Sequence, residues 1–84
     1  MEKEVSGAKF EIRSLTRGEI KSLRNRGINI LNLSQEQVDE VIDEILAMVL
    51  PERISEIDAL PNATALELFK AIMELTYGGD AEKN

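Results

Sequence analysis

The chain has 84 residues, no Cys, no His and no Trp, with a formal net charge of −6. Those absences remove disulfides, thiolate chemistry, the usual general base and the commonest zinc ligand. The charge is uneven: residues 1–27 carry a net +3 and residues 28–84 a net −9, an acidic body that argues against nucleic acid as the main ligand.

Residues 1–8 are charged and small, and read as a flexible N-terminal segment. Lys9 to Arg13 alternates polar and apolar, the period of a short half-buried strand or an extended arm. Two phrases then share one pattern of apolar, hydroxyl, two spacers, Glu or Gln, and apolar. They are Leu15-Thr16-Arg17-Gly18-Glu19-Ile20 and Leu33-Ser34-Gln35-Glu36-Gln37-Val38. Each encodes a capping box inside a hydrophobic staple. The hydroxyl accepts from the N–H three residues on, and the Glu or Gln reaches back to the capping residue.

The first helix is predicted from about Arg17 to Arg26, with Ile20 and Leu23 inward and Gly27 at the left-handed C-terminal position. Ile28 and Ile30 offer themselves as a second short strand beside Phe10 and Ile12. The second helix is predicted from about Gln35 to Val49 or Leu50. Val38, Val41, Ile42, Ile45, Leu46, Val49 and Leu50 make a broad apolar stripe on it, and Glu36, Asp39, Glu40, Asp43 and Glu44 cover the other side. Pro51 stops that helix and can begin a short one, placing Ile54 and Ile57 inward. The last helix is predicted from about Ala63 to Tyr77, capped by Asn62 or by Thr64 with Glu67. Its inward face is drawn through Leu66, Phe69, Ile72, Met73 and Tyr77. Residues 79–84 read as a flexible tail.

The expected fold is therefore mainly α: a small bundle of three main helices plus a short fourth, with an extended or short β N-terminal arm. It forms a single helical domain over residues 9–78.

Glu36, Glu40 and Asp43 or Glu44 lie at one-turn spacings and could in principle present oxygen ligands to Mg²⁺ or Ca²⁺. The turn-forming loop of a calcium hand is missing and no second carboxylate helix faces them, so they read as a solvated acidic face. No Ser/His/Asp or Cys/His set and no phosphate-cradling loop exists. The chain is accordingly expected not to be an enzyme, with no catalytic, cofactor or metal residues assigned. Arg13, Arg17, Lys21 and Arg24 form a candidate basic docking face. A solvated face complementing the helix dipole, a protein-docking face and a phosphate contact all remain open for it. No apolar run is long enough for a membrane span and no secretory leader is expected; the default location is cytoplasmic.

Read whole, Phe10 to Lys21 resembles the opening of the small tail assembly chaperones of tailed bacteriophages and prophages. Those proteins lead from an extended stretch through an Arg-x-Leu-Thr-x-x-Glu step into a helix. Arg13, Leu15, Thr16 and Glu19 match that step. The end is similar too, with Leu60-Pro61-Asn62 followed by an aromatic-bearing helix closing in Thr76-Tyr77-Gly78. The likeness spans about residues 10–78. It implies a non-enzymatic protein that binds the tape-measure protein before the tail tube polymerises, keeps it soluble, helps recruit tail tube subunits and is absent from the mature virion. The short form in such systems is often accompanied by a frameshifted longer one. A homo-oligomer is a further expectation. The candidate partner groove lies between the second and last helices, at Val41, Ile45, Met48, Phe69 and Met73. The alternatives are a small helical regulatory or antitoxin-type nucleic-acid-binding protein and a self-assembling structural protein.

Overall fold

The computed structural model describes residues 1–30 and 32–78. The elements run β1 (Glu2–Val5), β2 (Ala8–Glu11), α1 (Arg17–Asn25), α2 (Gln35–Val49), a 3₁₀ turn (Pro51–Arg53) leading into α3 (Ile54–Asp58), α4 (Asn62–Met73), and a π turn (Glu74–Gly78). The molecule is mainly helical with a short β hairpin at its N-terminal end.

The hairpin corrects the expectation of a frayed residue 1–8 segment. β1 pairs antiparallel with β2 in the register Lys3↔Phe10 and Val5↔Ala8. Ser6 and Gly7 both take positive φ, 54° and 79°, the requirement of a two-residue type I′ loop whose twist matches the strands it joins. β1 is Glu-Lys-Glu-Val, with a single apolar residue, so it carries no alternation to read. Val5 and Phe10 are nonetheless buried. The strand that pairs with Phe10 is thus β1, and residues 28–30 form no strand.

Both capping boxes form. Thr16 Oγ1 accepts from Glu19 N at 3.1 Å while Glu19 Oε1 accepts from Thr16 N at 2.8 Å. Ser34 and Gln37 repeat the exchange more loosely, at 3.3 and 3.4 Å. Gly27 closes α1 with φ 83°, where an L side chain would be strained. Pro51 ends α2 and opens the 3₁₀ turn at its first position, where its missing N–H costs nothing.

The core gathers one side of α2 (Val41, Ile42, Ile45, Leu46), Phe10 and Ile12 from the hairpin and its exit, Leu15, Leu23 of α1, Ile57 of α3, and Leu68 and Ile72 of α4. α4 packs against both α2 and β1.

The start and face of α4 differ from expectation. Pro61 stands at its N-cap with no side-chain cap, so neither Asn62 nor a Thr64–Glu67 box does that work. Thr64 is wholly buried and its hydroxyl meets Ser6 Oγ at 2.7 Å, tying the hairpin turn to the first turn of α4. The fully buried stripe is Thr64, Leu68 and Ile72. Of the face drawn from the sequence only Ile72 is fully buried; Leu66, Phe69, Met73 and Tyr77 are half-buried.

Candidate functional site

The motif that carries the family likeness folds into a structural clamp. The Arg13 guanidinium donates to both carboxylate oxygens of Glu19, at 2.8 and 2.9 Å, and to the Met48 carbonyl at 3.1 Å. One side chain thereby fastens the exit of the hairpin to the start of α1 and to the last turn of α2. In that turn the backbone carbonyls lack helical partners and the helix dipole favours a cation. Glu19 is held at a pKa of about 2, chiefly by the hydrogen bonds from Arg13 and further by the backbone N–H of Thr16. Leu15 is buried, and its N–H donates to Thr76 Oγ1 at 3.0 Å. Thr76 in turn donates to the Ile72 carbonyl at 2.7 Å. A hydroxyl occupying an i−4 carbonyl loosens the α-helical ladder, which accounts for the π turn that begins at Glu74.

Arg13 therefore leaves the candidate basic docking face: it is spent on in-chain contacts. Arg17, Lys21 and Arg24 remain exposed along α1, and none of them pairs with a carboxylate among the described residues. Arg26 pairs with Glu44 of α2 through both guanidinium ends, lowering the carboxylate's pKa. Arg53 pairs with Glu56, donates to the Lys9 carbonyl and sits 4.5 Å over the Phe10 ring.

The groove expected between α2 and α4 is not open. Val41 and Ile45 are fully buried core residues and present nothing to a partner; Met48, Phe69 and Met73 keep partial exposure. The reason lies in α4, whose apolar arc is broad and is closed only by exposed Glu67 and Lys70. At 100° per residue the Leu66, Phe69 and Met73 set is centred about 130° round the helix from the Thr64, Leu68 and Ile72 stripe, so it forms a flank of α4 that packs only partly against the core. Periodicity alone cannot choose between two apolar stripes, and the one that reads as inward is the half-covered one. Tyr77, one turn beyond Met73, carries this outer stripe into a cleft of about 460 Å³ lined also by Arg17, Ile20, Arg24, Ile28 and Ile30.

Half-buried Leu66, Phe69, Met73 and Tyr77 thus form an accessible apolar strip, with the α1 cations at its far end. Ile28 and Ile30 are the members that sequence reasoning assigned elsewhere. Their signal was two isoleucines just past the helix-ending Gly27. Among the described residues no group of three or more Asp or Glu is placed to hold a metal ion, and no helix is long and apolar enough to cross a membrane. No family model, curated protein or solved structure matches the chain. An apolar strip with a cationic end can hold another polypeptide.

Proposed function

We propose that this chain is a tail assembly chaperone of the kind found in tailed bacteriophages and prophages. In this reading it is a non-enzymatic protein that holds the tape-measure protein in the host cytoplasm and assists recruitment of tail tube subunits. The observation that carries the protein-binding part is α4, buried on Thr64, Leu68 and Ile72 yet half-covered on Leu66, Phe69, Met73 and Tyr77. A helix whose apolar arc extends well past its buried stripe has more apolar surface than this small domain covers. The phage assignment rests on the likeness of residues 10–78 to that family. A tape-measure chain presents helical apolar stripes until the tube encloses it. Laying one such stripe along the outer side of α4 is the helix-on-groove mode of recognition, and the acidic exterior keeps the complex in solution.

The test is co-expression with its cognate tape-measure protein, followed by co-purification. The expected result is a soluble complex that Phe69→Ala and Met73→Ala each weaken by roughly 5- to 30-fold, as truncating a central contact worth ~1–2 kcal/mol does. Unaltered capture by both variants, or no complex with the parent chain, would overturn the reading.

A further inference from the structure

Two exposed stripes of opposite charge share one spacing. Arg17, Lys21 and Arg24 on α1 stand at i, i+4 and i+7; Glu36, Glu40 and Asp43 on α2 stand at i, i+4 and i+7. Each stripe is about 10 Å long at 1.5 Å per residue. None of the six side chains forms an ion pair among the described residues, although Glu40 lies near enough to Arg26 to help raise its pKa; Arg13, Arg26 and Arg53 are all paired within the chain.

The two stripes do not close on each other in one molecule. α1 reaches α2 through Arg26 and Glu44. Arg26 lies nine residues beyond Arg17, about two and a half turns, so the side of α1 turned to α2 is the one opposite the basic stripe. On α2 the buried Val41, Ile42, Ile45 and Leu46 occupy the side away from Glu36, Glu40 and Asp43. Both stripes therefore point outward.

From this we propose that copies of the chain associate head to tail, the basic stripe of α1 on one copy docking along the acidic stripe of α2 on the next. Apolar surface accompanies the charges. Half-buried Ile20 sits between Arg17 and Arg24 at the α1 cleft. The acidic stripe runs into a shallow depression of about 370 Å³ lined by Glu40, Asp43, Glu44, Ala47 and Met48, which receives it. Because the two surfaces differ, the contact is heterologous and each copy keeps one free surface of each sign, so association continues into a ring or an open array. Exposed ion pairs are individually weak and salt-screened, which sets the character of the assembly: concentration-dependent and dissolved by salt. The inference is independent of any tape-measure client.

The experiment is sedimentation velocity of the full chain across salt and protein concentration. At about 20 mM NaCl the weight-average mass should climb with concentration above the 9.4 kDa of one chain. It should fall back to 9.4 kDa near 1 M NaCl, where the screening length is only about 3 Å. Arg17→Glu/Lys21→Glu/Arg24→Glu and, separately, Glu36→Lys/Glu40→Lys/Asp43→Lys should each stay monomeric. An equimolar mixture of the two should associate again, since each then offers what the other lacks. Circular dichroism verifies that both variants are folded. The single exchanges Lys21→Glu and Glu40→Lys serve, with the same expectations at smaller amplitude, if a triple variant does not fold. A parent chain that remains at 9.4 kDa at low salt, association that survives 1 M NaCl, or folded variants that fail to associate on mixing would each overturn the proposal.

Discussion

Replacing Glu19 by Gln isolates the charge in the clamp that Arg13 makes. The amide oxygen of Gln still accepts from Thr16 N, so the capping box survives; what disappears is the carboxylate facing the guanidinium. A pKa held at about 2 instead of about 4.5 corresponds to about 3 kcal/mol if it were fully expressed as stability. The Arg13 side chain is 44% exposed, and screening at such a site reduces the yield to ~1–2 kcal/mol. For a domain of this size that is roughly 5–15 °C in melting temperature. The sign follows from proton uptake. Because the folded-state pKa is depressed, the unfolded chain binds the proton more readily, and the contribution is present above about pH 5 and lost as pH falls toward 2. Thermal melts by circular dichroism at stepped pH should therefore show parent and Glu19→Gln separated at pH 7, converging below about pH 4.5 and coincident near pH 2. Glu44 and Glu56, also held low by their arginine partners, titrate equally in both proteins and cancel in the difference. A gap of the same size at pH 7 and pH 2 would refute the electrostatic account of the clamp.

Thr16→Ala removes the better-formed cap and should cost about 1 kcal/mol in a urea titration, more than Ser34→Ala, whose hydrogen bond is longer. Leu68→Ala, in the fully buried stripe of α4, should cost ~2–5 kcal/mol, while Phe69→Ala on the outer stripe should cost clearly less; equal losses would mean the two sides of α4 are wrongly assigned. Thr76→Val strips the acceptor from the Leu15 N–H and should cost ~1–2 kcal/mol. Tyr77 is the sole tyrosine and there is no tryptophan, so intrinsic fluorescence read alongside the melt should report the accompanying change in the adjacent cleft.

The helix starts were legible because capping is a local code: a hydroxyl, two spacers and a Glu or Gln specify the geometry without reference to the rest of the chain. Gly27 and Pro51 were legible for the same reason, each having one conformational role that suits it. The hairpin was not. Its second strand alternates, but β1 is three charged residues and a valine, and what defines it is the Ser6–Gly7 turn, the burial of Val5 and Phe10 and the packing of β1 on α4. Nor was the face of α4 legible, since its apolar arc is wider than the stripe the core can bury. The choice is made by tertiary contact, notably Thr64 reaching Ser6. That one misassignment propagated into the partner groove: with Leu68 and Ile72 inward, Val41 and Ile45 belong to the closed core, and only Met48, Phe69 and Met73 of the expected groove keep access to solvent.

The residues that resemble the family and the residues that offer a surface to a partner are different sets, joined by one side chain. Arg13, Leu15, Thr16 and Glu19 all have in-chain duties: bidentate pairing, burial, capping and charge. A motif of that kind marks how the chain enters α1, and it would persist under selection for folding alone, whatever the client. The proposed partner strip is Leu66, Phe69, Met73 and Tyr77, at the other end of the sequence. Thr76 connects them, accepting from Leu15 and donating to Ile72. It thereby turns the end of α4 into the π turn that brings Tyr77 to Arg17 and Arg24. The clamp thus fixes where the apolar strip ends and the cations begin. Under the proposed chaperone reading, substitutions at positions 66, 69, 73 and 77 should change capture of a partner while leaving the melt nearly unchanged, and substitutions in the Arg13–Glu19–Thr16 clamp should lower the melt while leaving capture by the folded chain unchanged.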